Sequence, residues 1–207
     1  MNLEKYRQYS RIARGLENAD LVVKDARIVN VFTEEIIRGD IAIQDGIIAG
    51  IGSFHGKEER NLAGKYVCPG FIDSHLHLES TLVTPAELVT VASRHGTTTF
   101  IVDPHESANV SGWKGIDYIL EQTENVKANV YVMMPSCVPA TSIDDNGCTL
   151  TAEDMAPYLH NSRILGLGEV MDSISVVQGD KTMHDKLELF EGRIRDGHAP
   201  FLEEGDL

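Results

Sequence analysis

Three cysteines in 207 residues are too few, and too far apart, for a disulfide framework. Cys68, Cys137 and Cys148 read as reduced thiols, and their spacing excludes a cysteine-rich zinc site. No apolar run approaches the ~18 residues of a membrane helix. The segment from Met1 to Leu16 lacks the apolar middle of a secretory signal, so the cytoplasm is the expected compartment. Basic residues are also scarce: 18 Lys and Arg face 32 Asp and Glu, giving a net charge of −14. That balance argues against a nucleic-acid surface and against a polyanionic substrate. What remains is ordinary globular composition, 42% hydrophobic and 24% charged, with enough chain for one sizeable core or two modest ones.

Residues 1–18 predict a polar helix or a loose arm. From Asp20 the texture becomes strand-like, in Leu21-Val22-Val23, in residues 27–31 and in Ile41-Ala42-Ile43. Asp45-Gly46, between two apolar runs, is a strong hairpin signal. Residues 20–66 therefore predict a small antiparallel β unit. After Pro69, strands and helices alternate. Strands are expected at 67–72, 97–102, 129–134, 164–167 and 193–200. Thr84-Pro85-Ala86-Glu87 has the form of a capping box with proline at the first helical position. Further helices are expected at 113–124, from Thr151 with Met155, Tyr158 and Leu159 on one face, and at 184–191.

Alternating strand and helix predicts an α/β fold with a parallel sheet. A closed (β/α)8 barrel takes ~250 residues, and 139 follow residue 68 (207 − 68). The expected architecture is a partial TIM-type barrel, about its first five strands. An N-terminal arm and partial β-sandwich (1–68) would precede the barrel part (69–207). The sequence ends straight after the fifth strand, which predicts a fragment of a longer enzyme. A complete, open five-stranded α/β sheet is the alternative.

The chemistry concentrates at predicted strand ends. In Phe71-Ile72-Asp73-Ser74-His75-Leu76-His77, alternation puts Asp73, His75 and His77 on one face of what reads as a buried strand. Two imidazoles side by side can ligate one metal ion. Asp103-Pro104-His105-Glu106 follows the second strand, Glu169 the fourth, and His198 lies in the fifth. In a parallel barrel these ends meet at one mouth. Asp103 and Glu106 also fit a helix N-cap and first turn, and Glu169 fits an exposed loop carboxylate. His55, His95, His160 and His184 read as solvated. Cys137, with no evident histidine partner, reads as a packing residue rather than a nucleophile.

Residues 69–77, with Leu78 to Pro85 after them, resemble the first barrel strand of the amidohydrolase superfamily. His95-Gly96-Thr97-Thr98-Thr99, Asp103 to Val110, Gly166 to Met171 and Gly197 to Pro200 are similar to the bacterial adenine deaminase family. The resemblance implies a binuclear divalent metal centre, with manganese or iron favoured and zinc open. His75, His77, Glu169 and His198 would be its ligands, with Glu169 as the bridge. Metal-activated water would attack C6 of adenine, releasing ammonia and leaving hypoxanthine. The resemblance offers Glu106 and His105 as catalytic groups and Asp103 and Glu79 as substrate-binding ones. A homodimer is one assembly open to the full-length enzyme. The family's later metal-ligand His and its late Asp are not in this sequence, so residues 1–207 alone are expected to fold poorly and not to turn over adenine. A dihydroorotase-like amidohydrolase and a non-catalytic metal-binding remnant are the other readings.

Overall fold

The polar N-terminal segment is a helix, α1 (Leu3–Ala13), started by Asn2, whose side chain accepts from the Lys5 amide. The computed structural model describes residues 2–141, 143–198, 200, 202, 203 and 205. These form two compact units, Met1–Pro69 and Gly70–Leu207.

The first unit is a five-stranded sheet of β1 (Ala19–Asn30), β2 (Glu35–Gln44), β3 (Ile47–Gly52), β4 (Gly56–Asn61) and β5 (Tyr66–Val67). The β2–β3 hairpin forms where Asp45-Gly46 predicts it, with both residues at positive φ, 51° and 75°. The expectation of a purely antiparallel unit is corrected: β4 and β5 both pair parallel with β1. One long strand accommodates both because its register shifts between Val23 and Ala26, around Asp25 at φ 52°. Asp40 fixes that irregularity. Its carboxylate accepts from the Asp25 amide at 3.0 Å, the Phe54 amide at 3.2 Å and the Lys24 ammonium at 2.6 Å. Apolar side chains pack in two clusters, one around Ile12, Val22 and Phe54, the other around Ala26, Ile28 and Ile41.

The second unit runs β6 (Phe71–Leu76), α2 (Pro85–Ser93), β7 (Thr97–Val102), α3 (His105–Ser111), α4 (Trp113–Gln122) and β8 (Asn129–Pro135). It continues through α5 (Ala152–Met155), β9 (Ile164–Val170), α6 (Ser173–Gln178), α7 (Lys181–Leu189) and β10 (Ile194–Gly197). The five strands are all parallel and stand in chain order, β6 to β10. That is the expected half of a (β/α)8 barrel. Its core joins Phe100, Val102, Val130, Val132 and Leu167 of the strands to Ile116, Ile119 and Phe190 of the helical layer.

Three expectations shift. The strand at 67–72 is two: Val67 ends β5, and β6 starts at Phe71. Pro69 lacks the N–H that a continuous ladder needs, and a Cβ on Gly70 would lie 2.0 Å from the Thr98 hydroxyl. Strand β6 is not buried, because it is an edge of the sheet; Phe71 and Ile72 are 62% and 63% exposed. Thr84 precedes α2 as foreseen but makes no side-chain capping bond, whereas Thr151 and Asp154 form a full capping box. The segment expected at 193–200 contains residue 199, outside the described residues.

Candidate metal centre

Parallel strands deliver their C-terminal ends to one edge, and the chemistry gathers there. His75 and His77 close β6. Asp103, His105 and Glu106 span the turn from β7 into α3, Ser136 and Cys137 follow β8, Glu169 is near the end of β9, and His198 follows β10. Glu169 is the hub. Its Oε1 lies 2.8 Å from His198 Nε2 and 3.5 Å from His75 Nε2. Its Oε2 lies 3.2 Å from His77 Nε2 and 3.5 Å from His105 Nδ1. The carboxylate is buried, and its backbone sits at φ 40°, a left-handed conformation that a non-glycine residue adopts at a cost.

Two groups of ligand atoms converge within 4.8 Å: His75, His77 and Glu169, and Asp103, His105 and Glu169. Glu169 belongs to both, so one carboxylate can face two ions. The first group fits a divalent cation on the chemistry of its donors. His77 Nδ1 lies 2.8 Å from the Asp103 carbonyl oxygen and donates to it. Its Nε2 therefore aims a lone pair at the Glu169 carboxylate and at His75 Nε2, 3.2 Å away in each case. Facing lone pairs repel until a cation lies between them. Burial works against a charged His77, but Glu106, the Asp103 carbonyl and Glu169 outweigh it and raise the ring's pKa. Both groups expose the same imbalance, negative charge in search of a positive partner.

The second group is narrower. The Cys137 amide donates to His105 Nε2 at 3.4 Å, which leaves the ring proton on Nδ1, 2.5 Å from Asp103 Oδ1. That approach is close but misaligned, so both Asp103 oxygens and His105 Nδ1 are buried without a hydrogen bond. Burial raises the Asp103 pKa, opposed by His105. A Cβ on Gly168 would lie 2.1 Å from Asp103 Oδ2, so glycine there is what lets Asp103 sit behind Glu169.

Beside the hub opens a cavity of about 690 Å³, bordered by His77, His105, Glu106, Cys137, Glu169 and Met171 among others. Its size suits a small-molecule site. Glu106 offers it a carboxylate whose Oε1 accepts from the Ser80 hydroxyl at 3.0 Å and whose Oε2 lies 3.3 Å from His77 Nδ1. Burial would raise Glu106, but its own amide, the Ser80 hydroxyl and His77 prevail and lower its pKa. Asp103 and Glu79 do not border this cavity. Glu79 Oε1 is bound by the Ser107 amide at 2.9 Å, its Oε2 is buried without a hydrogen bond, and burial raises its pKa.

His55, His95, His160 and His184 are exposed, as expected. Cys137 is buried, as a packing residue would be, and no described histidine lies on its sulfur. Its amide donates to His105, and its Sγ accepts from the Met171 and Asp172 amides at 3.3 and 3.4 Å. Nothing in the local sequence marks it, because the partners come from other strands.

Residues 66–203, two thirds of the sequence, match the amidohydrolase family. The chain belongs to the amidohydrolase family. Among its curated amidohydrolase relatives, an adenine deaminase of Desulfitobacterium hafniense (strain Y51) is 56% identical over the whole chain and 36% of its own length. Adenine deaminase 2 of Carboxydothermus hydrogenoformans is 47% identical over 95% of the chain, and the adenine deaminase of Clostridium acetobutylicum 48% over 94%. The chain spans about a third of the length of these relatives. A zinc-containing N-acyl-D-glutamate deacylase from Bordetella bronchiseptica covers 74% of the chain with a TM-score of 0.50 at 18% identity, a likeness of fold. Family membership and the ligand groups together imply a divalent metal.

Proposed function

We propose that this chain is the N-terminal part of a metal-dependent adenine deaminase, which converts adenine and water to hypoxanthine and ammonia. The observation that carries the reading is the Glu169 hub, which collects His75, His77 and His198 beside a cavity of small-molecule size. The similarity to adenine deaminases over the full chain supports the substrate. Residues 1–68 act as part of a β-sandwich, and the cytoplasm is the expected compartment.

His75, His77, Glu169 and His198 would hold two divalent ions, manganese or iron by preference, with Glu169 between them. When bound, such ions acidify water and stabilise the negative charge that forms at the reacting centre. The water oxygen bonds to C6 and the C6–N6 bond breaks; one water proton goes to the leaving amino group, which departs as ammonia, and the other ends on the ring nitrogen N1 of hypoxanthine. Glu106, held ionised by its neighbours and bordering the cavity, accepts a proton at Oε2 and returns it to the departing amine. His105 has both nitrogens turned to protein, so it orients the site. Asp103 and Glu79 lie behind the residues that border the cavity and support them.

The test is ammonia release from adenine by the manganese-loaded protein at the length of its relatives. Turnover of adenine, with none by residues 1–207 alone, is the expected result. Turnover of dihydroorotate in place of adenine would overturn the substrate assignment. Metal uptake with no turnover of either would make the chain a binding remnant.

A further inference from the structure

Lys186 is a charged residue in the wrong place for a surface helix. It lies on the buried side of α7 beside Met183, and it is 6% exposed. Its one hydrogen-bond acceptor among the described residues is the Ser136 carbonyl, 2.6 Å from Nζ. A buried ammonium without a carboxylate partner is expensive, and a methionine of similar reach would avoid the desolvation. A lysine at this position therefore needs a task, and the Ser136 carbonyl is the task in view.

Ser136 is wholly buried and touches the hub's backbone twice. Its amide donates to the Gly168 carbonyl at 3.1 Å, and its hydroxyl donates to the Glu169 carbonyl at 2.9 Å. The next residue, Cys137, takes the Met171 and Asp172 amides on its sulfur and gives its own amide to His105. The dipeptide thus grips the chain on both sides of Glu169, whose left-handed backbone persists only if its surroundings hold it. A cavity of about 360 Å³ borders Ser136, Cys137 and Lys186.

We propose that Lys186 and Ser136 are positioning residues: the Lys186 ammonium anchors the Ser136–Cys137 dipeptide, which in turn aims the Glu169 carboxylate at the metal-binding histidines. This rests on the reading of that cluster as a metal site. Neither residue touches the ligand atoms, so both act through Glu169.

The experiment is titration of the protein at the length of its relatives with Co²⁺, followed by its visible absorption, which reports ligand number and geometry. Wild type is compared with Ser136→Ala, Lys186→Met and Lys186→Arg, each checked for folding by circular dichroism. The expected result is about a tenfold or greater loss of Co²⁺ affinity in Ser136→Ala and Lys186→Met, with a changed absorption band. Lys186→Arg, which keeps charge and donor, recovers most of the affinity. A folded Ser136→Ala with wild-type affinity and spectrum overturns the proposal even if Lys186→Met fails to fold. Absence of Co²⁺ binding by the wild-type protein would instead overturn the metal reading itself.

Discussion

Single residues in this molecule do more than their sequence neighbourhood suggests. Glu169 is an unremarkable carboxylate in Gly168-Glu169-Val170, yet four histidines from three strand ends turn to it. Asp40 plays the same part in the first unit, where one carboxylate takes two amides and an ammonium. Burial works to raise the Asp40 pKa, but Lys24 and the two amides prevail and lower it. A lowered folded-state pKa stabilises above the ordinary carboxylate value and is lost as pH falls through the lowered one. Asp40→Asn should therefore lower the melting temperature at pH 7. The gap to wild type should close below about pH 4. Thermal unfolding across pH checks this, and a gap that widens in acid would contradict it.

At the scale of elements, strands were more legible than helices. Thr97–Val102 is read in full because threonine and β-branched residues fill it and Gly96 and Asp103 bound it. The hairpin at Asp45-Gly46 is local chemistry and so is visible locally. The parallel pairing of β4 and β5 with β1 is not, because it depends on a bend at Asp25 that only Asp40, fifteen residues away, explains. The short helix α6 is not legible, since it has no room for an apolar period, and α3 shows only in the first-turn fit of Glu106. His75 and His77, the candidate ligand pair of β6, are legible through strand alternation. Ser136 is not, since its partners are main-chain atoms of another strand. Lys186 did leave a trace: it interrupts the apolar stripe of Met183, Leu187 and Phe190. Phe100, in the centre of β7, is 1% exposed and packs the sheet against its helices. Phe100→Ala should cost about 3–5 kcal/mol in urea unfolding. A loss below about 1 kcal/mol would mean the sheet and helices are not packed as described.

For the whole molecule, five parallel strands in chain order place every candidate ligand on one edge of one sheet. The chain carries a net charge of −14, and among the described residues no helix is long and apolar enough to cross a membrane. The central claim is that Glu169 is the shared ligand of a divalent metal centre. The direct test is calorimetric titration with Mn²⁺ of the protein at the length of its relatives, as wild type and as Glu169→Gln, which removes the charge but little of the shape. The account predicts that wild type binds Mn²⁺ and that Glu169→Gln binds it weaker by more than about a hundredfold. Equal affinity in the two proteins would contradict it.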